Sequence, residues 1–323
     1  MNVTIAYGFL GAGKTSILLH WIPRLRAAGR TAFVVNEFGK EGIDQVVLQT
    51  ESLTVRSLVG GCVCCELRGE LPGALQQLDA ELRPERVIIE PTGLAAPKDL
   101  GPLFGAPPLA EFARVDSIVT VVDAVRHEAA RAVFGAFYPE QIIAADVVVI
   151  NKIDLATGAQ QAGARRMACA INPRATVVAT THGQADWDLV SVASARHRPS
   201  AGPSFDAERA VDHAHTGDVG RVSTLGLERV AVHPAALRRP ALDRLVADLA
   251  AGEFGDVLRA KGFVPTPNGV IRVDVVMGLI ELRPSGDAPA RLEVIGRNLR
   301  HTEMEYAFTH GLTELTRSGR ATA

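Results

Sequence analysis

A chain of 323 residues, at roughly 150 residues per domain, is long enough for about two domains. With 47% hydrophobic and 22% charged residues it can bury a sizeable core, which excludes a disordered tail and a disulfide-stapled miniprotein. The 34 basic residues against 36 acidic ones give a net charge of −2, without the basic excess that marks a nucleic-acid binder.

The first 180 residues alternate short apolar runs with helical patterns. Strands are expected at Val3–Tyr7, Ala32–Asn36, Leu53–Leu58, Val87–Glu90, Ile118–Asp123, Val147–Asn151 and Thr176–Ala179, most of them β-branched and apolar on both faces. Between them, Ile17, Leu18, Trp21, Ile22 and Leu25 form one helical stripe that Gly29 ends. Leu71, Leu75, Leu78 and Leu82 form another, stopped by Pro84. Such βα alternation implies a doubly wound, mostly parallel α/β domain over residues 1–184. From Asp186 the pattern fails, and the small, polar, Gly/Pro-bearing stretch 185–221 reads as a linker. Order returns over residues 222–317. A strand is expected at Ser223–Val232, a helix at Ala235–Ala250, strands at Val270–Leu282 and Arg291–Ile295, and a closing helix at Glu303–Leu315, a smaller α+β domain. No apolar run approaches the roughly 18 residues of a membrane span. The opening MNVTIAYGFLGAGKT has no charged leader and is broken at once by glycines, so it does not read as a signal peptide. A reducing cytoplasm is the expected compartment.

Gly8-Phe9-Leu10-Gly11-Ala12-Gly13-Lys14-Thr15 fits G-x-x-x-x-G-K-[ST], after an expected strand and before an expected helix. Its glycines let backbone N–H groups from Gly8, Gly11, Ala12 and Gly13 through Lys14, Thr15 and Ser16 wrap an anion at a helix N-terminus. Lys14 should bridge the β- and γ-phosphates, and Thr15 should offer its hydroxyl to Mg²⁺. Lysine is scarce here, five against 29 arginines, so Lys152 in Asn151-Lys152-Ile153-Asp154 stands out as well. At a strand end after a phosphate loop, Asp154 can accept from guanine N1–H and the 2-amino group together, and Lys152 can lie along the base. Adenine lacks the second donor.

Glu90-Pro91-Thr92-Gly93 follows an apolar strand. Glu90 can hold Mg²⁺ through water, and the Gly93 N–H can meet a γ-phosphate. The loop from Asn36 to Asp44 should lie over the nucleotide and carries Glu37, Glu41 and Asp44, acids that in such a loop are more often solvated charges than ligands. Cys62, Cys64 and Cys65 fall within four positions, flanked by glycines, where no ordinary disulfide plan explains them. Thiolates near a helix N-terminus have lowered pKa values, and three of them can bind Zn²⁺ or a similar cation with a fourth position open.

GFLGAGKT, NEFGKEGID, GCVCC, EPTG and NKID, in that order, resemble the CobW-like GTPases, which are similar to the urease and hydrogenase nickel-insertion GTPases. The resemblance covers nearly all of residues 1–184 and continues into VLRAKGFV and RLEVIGRNL of the second domain. It implies a GTPase, slow without metal or partner, that uses GTP, GDP and Mg²⁺. The protein would bind zinc, or cobalt, and deliver it to a client metalloprotein or a cobalamin pathway, with homodimerisation open. By resemblance, Cys62, Cys64 and Cys65 are metal ligands and Glu37 a further one. The long His-rich run common in the family's linker has shrunk here to Asp212-His213-Ala214-His215. Two rival functions compete: a P-loop small-molecule kinase with structural zinc, against which NKID argues, and a nucleotide-binding metal sensor without turnover.

Overall fold

Short runs of Val and Ile that are apolar on both faces can be satisfied only inside a sheet covered on both sides. The computed structural model, which describes residues 1–37, 55–59, 65–93, 95–197 and 227–311, builds such a sheet. Its strands are β1 (Asn2–Gly8), β2 (Thr31–Glu37), β3 (Val55–Val59), β4 (Arg86–Glu90), β5 (Arg114–Asp123), β6 (Val147–Asn151) and β7 (Thr176–Ala179). They lie in the order β3-β2-β4-β1-β5-β6-β7, and every pairing is parallel. The chain winds to one side of β1 through β2 to β4 and to the other through β5 to β7, so the sheet is doubly wound as expected.

Helices cover both faces: α1 (Lys14–Ala28), α2 (Cys65–Leu82), α3 (Pro97–Phe104), α4 (Leu109–Phe112), α5 (His127–Phe134), α6 (Phe137–Ile143), α7 (Gly158–Ile171) and α8 (Trp187–His197). The period of two is visible in β4, where Val87 and Ile89 enter one core and Ile88 the other. The first core takes Leu71, Leu75 and Leu78 of α2 with Leu100 and Phe104 of α3. The second takes Ile17, Leu18, Trp21, Ile22 and Leu25 of α1. Helix α8 corrects the expectation of an irregular segment from Asp186. Trp187, Val190 and Ala193 join the second core, Trp187 meets Trp21 edge-on at 5.1 Å, and the Trp21 indole donates to the Ala185 carbonyl at 2.8 Å. Tertiary burial, rather than composition, holds this helix.

Residues 1–221 and 222–323 form two separate units. The second builds an antiparallel sheet from β8 (Glu228–Val232), β9 (Asp256–Thr266), β10 (Gly269–Val276), β11 (Leu279–Ser285) and β12 (Arg291–Arg297), in the order β11-β10-β9-β12-β8. Helices α9 (Arg239–Ala251) and α10 (His301–His310) share its core through Leu242, Leu245, Val246, Leu249, Met304 and Phe308. The single strand expected at Val270–Leu282 is a hairpin, because Met277 (φ 45°) and Gly278 (φ 82°) turn the chain back. The helix expected from Ala235 begins at Arg239, with Pro240 at its first turn. Strand β9 carries no expectation from the sequence. Among the described residues no helix is long and apolar enough to cross a membrane.

Candidate nucleotide site

In an open α/β sheet, ligands bind beyond the carboxyl ends of the strands, where the winding direction changes. At that edge the loops after β1, β4, β5 and β6 come together. Gly13 caps α1 with φ 99°, a left-handed conformation, and no side chain caps the helix. A helix N-terminus of this kind favours an anion.

Lys14 and Thr15 stand at the start of α1. The Lys14 ammonium donates to the Gly8 carbonyl at 2.8 Å and lies 4.0 Å from Glu90 Oε1, with both side chains nearly buried. Thr15 Oγ1 lies 3.2 and 3.3 Å from the two Glu90 carboxylate oxygens. A hydroxyl and a carboxylate converging from the start of α1 and the end of β4 are hard oxygen ligands of the kind Mg²⁺ takes, and they would hold it here.

The loop after β4 approaches the phosphate loop closely. A Cβ on Gly93 would stand 2.8 Å from the Leu10 amide nitrogen and 3.1 Å from the Phe9 carbonyl carbon. Both neighbours are backbone, so Gly93→Ala must push the two loops apart. The expected cost is about 1–3 kcal/mol of stability together with weaker nucleotide binding, measured by thermal unfolding and GDP titration. Unchanged values in both would mean that the close approach constrains nothing.

Two side chains that sequence reasoning did not single out brace this region. Gln141 of α6 is fully buried, and its amide donates to the carbonyls of Gly93 at 3.3 Å and Ala95 at 2.9 Å. Phe9 of the phosphate loop stacks on Tyr138 at 4.8 Å and tilts against Phe134 at 4.6 Å. Burial first, and the Asp123 charge second, push the Tyr138 phenol above its ordinary range, so Phe9 meets a neutral ring. One short helix thus touches both the phosphate loop and the loop after Glu90.

The NKID segment is tied to the phosphate loop at two points. The Asn151 amide donates to the Ala12 carbonyl at 2.9 Å, and the Lys152 ammonium donates to the Gly11 carbonyl at 2.6 Å. Asn151 Oδ1 accepts from the Gly183 N–H at 3.0 Å, which brings the loop after β7 into the site. That loop places His182 Nδ1 3.6 Å from Asp154 Oδ2. The Asp154 side chain is about a fifth exposed and so within reach of a ligand. Only its place after the last parallel strand could have signalled this loop.

Lys14, Thr15, Glu90, Gly93, Asn151 and Lys152 therefore converge on the phosphate loop. Glu37 ends β2, and Cys65 opens α2. Cys62 and Cys64 lie outside the described residues, as do Glu41, Asp44 and the Asp212–His215 segment. Among the described residues no group of three His, Cys, Asp or Glu side chains is placed to hold a metal ion.

Residues 2–179 match the family described as CobW/HypB/UreG, nucleotide-binding domain, and residues 229–312 match the cobalamin synthesis protein CobW C-terminal domain. The zinc chaperone CobW of Sinorhizobium sp is 28% identical over 304 residues, 84% of this chain and 83% of that protein. The zinc chaperone YjiA of Escherichia coli is 32% identical over 197 residues, 58% of this chain and 60% of that protein. The zinc chaperone YeiR, from the same organism, is 29% identical over 185 residues, 57% and 56% of the two chains. The matches to YjiA and YeiR thus span less than two thirds of those proteins. With its phosphate loop, acidic strand end and NKID segment assembled at one edge of a parallel sheet, and with both family domains matched in order, the chain belongs to the CobW/HypB/UreG family.

Proposed function

We propose that the protein is a GTP-hydrolysing metallochaperone that acts in the cytoplasm. It binds GTP through residues 8–16 and Asn151, Lys152 and Asp154, and binds a transition metal, zinc foremost and cobalt next, through Cys62, Cys64 and Cys65. It hands that metal to a client metalloprotein or a cobalamin-pathway protein. The observation that carries this reading is the double tie of Asn151 to Ala12 and Lys152 to Gly11, which holds the NKID segment against the phosphate loop, as a guanine reader requires. Relatives named zinc chaperones support the metal as cargo.

Thr15 and Glu90 would hold Mg²⁺, which would supply positive charge against that of the phosphates. Lys14 orients the β- and γ-phosphates, and the Gly93 N–H meets the γ-phosphate. No glutamine is placed by motif to orient the attacking water, so turnover without metal or partner should be slow, and a homodimer contact is one way to complete the site. Glu37, the last residue of β2, is a fourth metal ligand in this reading, next to a loop that the γ-phosphate would order.

GTP and metal must then be linked. If ordering the loops around Glu37 and Gly93 moves a ligand, metal affinity differs between nucleotide states, and the metal changes GTP affinity by the same factor. Chelator competition should give Zn²⁺ dissociation constants about 5–150-fold apart for the GTP-analogue and GDP forms. The triple Cys62→Ser, Cys64→Ser, Cys65→Ser variant should still bind GTP but lose stoichiometric metal. Equal metal affinities in the two states would leave a GTPase with a static metal and end the chaperone mechanism.

A further inference from the structure

We infer that Asp123 is a positioning residue of the base pocket, one that pins the Lys152 ammonium beneath the phosphate loop so that the lysine stem forms a fixed wall for the base. The inference rests on the guanine-reading role proposed above and extends it to a residue outside the NKID and phosphate-loop motifs.

Asp123 is the last residue of β5, and the parallel register sets it directly beside Asn151 on β6. It is only 8% exposed. Its two carboxylate oxygens divide their work. Oδ1 accepts the backbone N–H groups of Val125 at 2.9 Å and Arg126 at 3.2 Å, which closes the turn into α5. Oδ2 faces the base segment, 2.9 Å from the Lys152 ammonium and 3.5 Å from Arg126 Nη1. The same ammonium donates to the Gly11 carbonyl. Lys152 is thus clamped between an acid on β5 and a carbonyl of the phosphate loop.

Turn closure needs only the first oxygen, and an asparagine would supply it equally well. The negative charge on the second oxygen is not what closes the turn; it pairs with Lys152 at 2.9 Å and with Arg126 at 3.5 Å. It answers a different requirement. Lys152 has φ 63°, a left-handed backbone that a lysine seldom adopts and that persists only where its surroundings hold it. A long, flexible lysine stem makes a defined wall only when its far end is fixed, because otherwise its rotamer entropy is lost on binding. Charge at Asp123 does the fixing.

The test is a cycle of four full-length proteins: wild type, Asp123→Asn, Lys152→Met and the double variant, each titrated with GDP and melted. Asp123→Asn keeps the turn and removes both ion pairs, to Lys152 and to Arg126, and only the first of these is absent from the Lys152→Met background. It should weaken GDP about 10-fold, the order of one hydrogen bond to a charged group. In the Lys152→Met background the same change should cost less than about 2-fold, the ordinary error of additivity. An equal loss in both backgrounds, or no loss in either, would reduce Asp123 to a turn cap and overturn the inference. Should Asp123→Asn not fold, Asp123→Ser closes the turn through its hydroxyl and carries the same expectation. Wild-type protein with no affinity for GDP would overturn the guanine reading itself, and the inference with it. Loss confined to the cycle, with wild-type binding intact, separates the two failures.

Discussion

Asp154→Asn should lower GTP affinity by roughly 100-fold, the worth of two hydrogen bonds to a charged acceptor at about 1.5 kcal/mol each, and should raise affinity for xanthosine triphosphate. Guanine presents N1–H and the 2-amino group, both donors, to a carboxylate that only accepts. An asparagine still accepts from N1–H but turns an N–H toward the second position. There it clashes with the 2-amino group of guanine and pairs with the 2-oxo group of xanthine. The exchange should leave the fold intact, because the side chain is partly exposed and its neighbour His182 is itself 72% exposed. Competition titrations of the variant with GTP, xanthosine triphosphate and ATP decide the matter. If wild-type protein binds ATP as tightly as GTP, Asp154 does not read the base. If the variant keeps wild-type GTP affinity, the carboxylate points elsewhere when nucleotide is bound.

The parts of this site that were legible in the sequence are those whose chemistry is local. A phosphate loop must keep its glycines, lysine and hydroxyl within eight consecutive residues, because one turn of backbone wraps the anion. NKID must keep its amide, cation and acid adjacent for the same reason. The supporting contacts are not local. Gln141 braces a carbonyl 48 positions away, and Asn151 reaches a carbonyl 139 positions away. No periodicity announces such pairs. Asp123 and Gly183 were equally silent, since an acid ending a strand and a glycine after one are common turn residues.

The fold divides in the same way. Parallel strands buried on both faces read as continuous apolar runs, and each expected in residues 1–184 overlaps a strand of the sheet. Helices α5 and α6 are too short, at 8 and 7 residues, for a 3.6-residue period to stand out. In the second unit, β9 interrupts its apolar positions with Arg259, Lys261, Gly262 and Pro265, which hides the strand. The β10–β11 turn passes through Met277, a residue with no turn preference, and the hairpin was read as one long strand. Helix α8 lies in a stretch whose composition reads as a linker, and what fixes it is burial against the second core, including the Trp21–Trp187 contact between residues far apart in the chain.

Lys14→Ala should abolish most GTP turnover, by roughly 10²–10³-fold in kcat, the usual cost of removing one preorganised charged donor from a transition state. The ammonium is nearly buried, held by the Gly8 carbonyl 2.8 Å away and facing Glu90 at 4.0 Å. A cation kept in place in this way costs little reorganisation when a triphosphate enters, and it acts where water is scarce and charge is felt strongly. Charge grows on the bridging and γ-phosphate oxygens as the bond breaks, so the effect should fall more on turnover than on GDP affinity. The same substitution takes a cation from beside a buried carboxylate, so some stability is expected to go with it. Lys14→Met fills the space of the stem and isolates the charge from the packing. Both variants should therefore lose turnover alike while Lys14→Met melts closer to wild type. Single-turnover hydrolysis with and without Mg²⁺ is the measurement. Turnover within about 3-fold of wild type in Lys14→Met, or turnover indifferent to Mg²⁺, would place phosphoryl chemistry somewhere other than this loop.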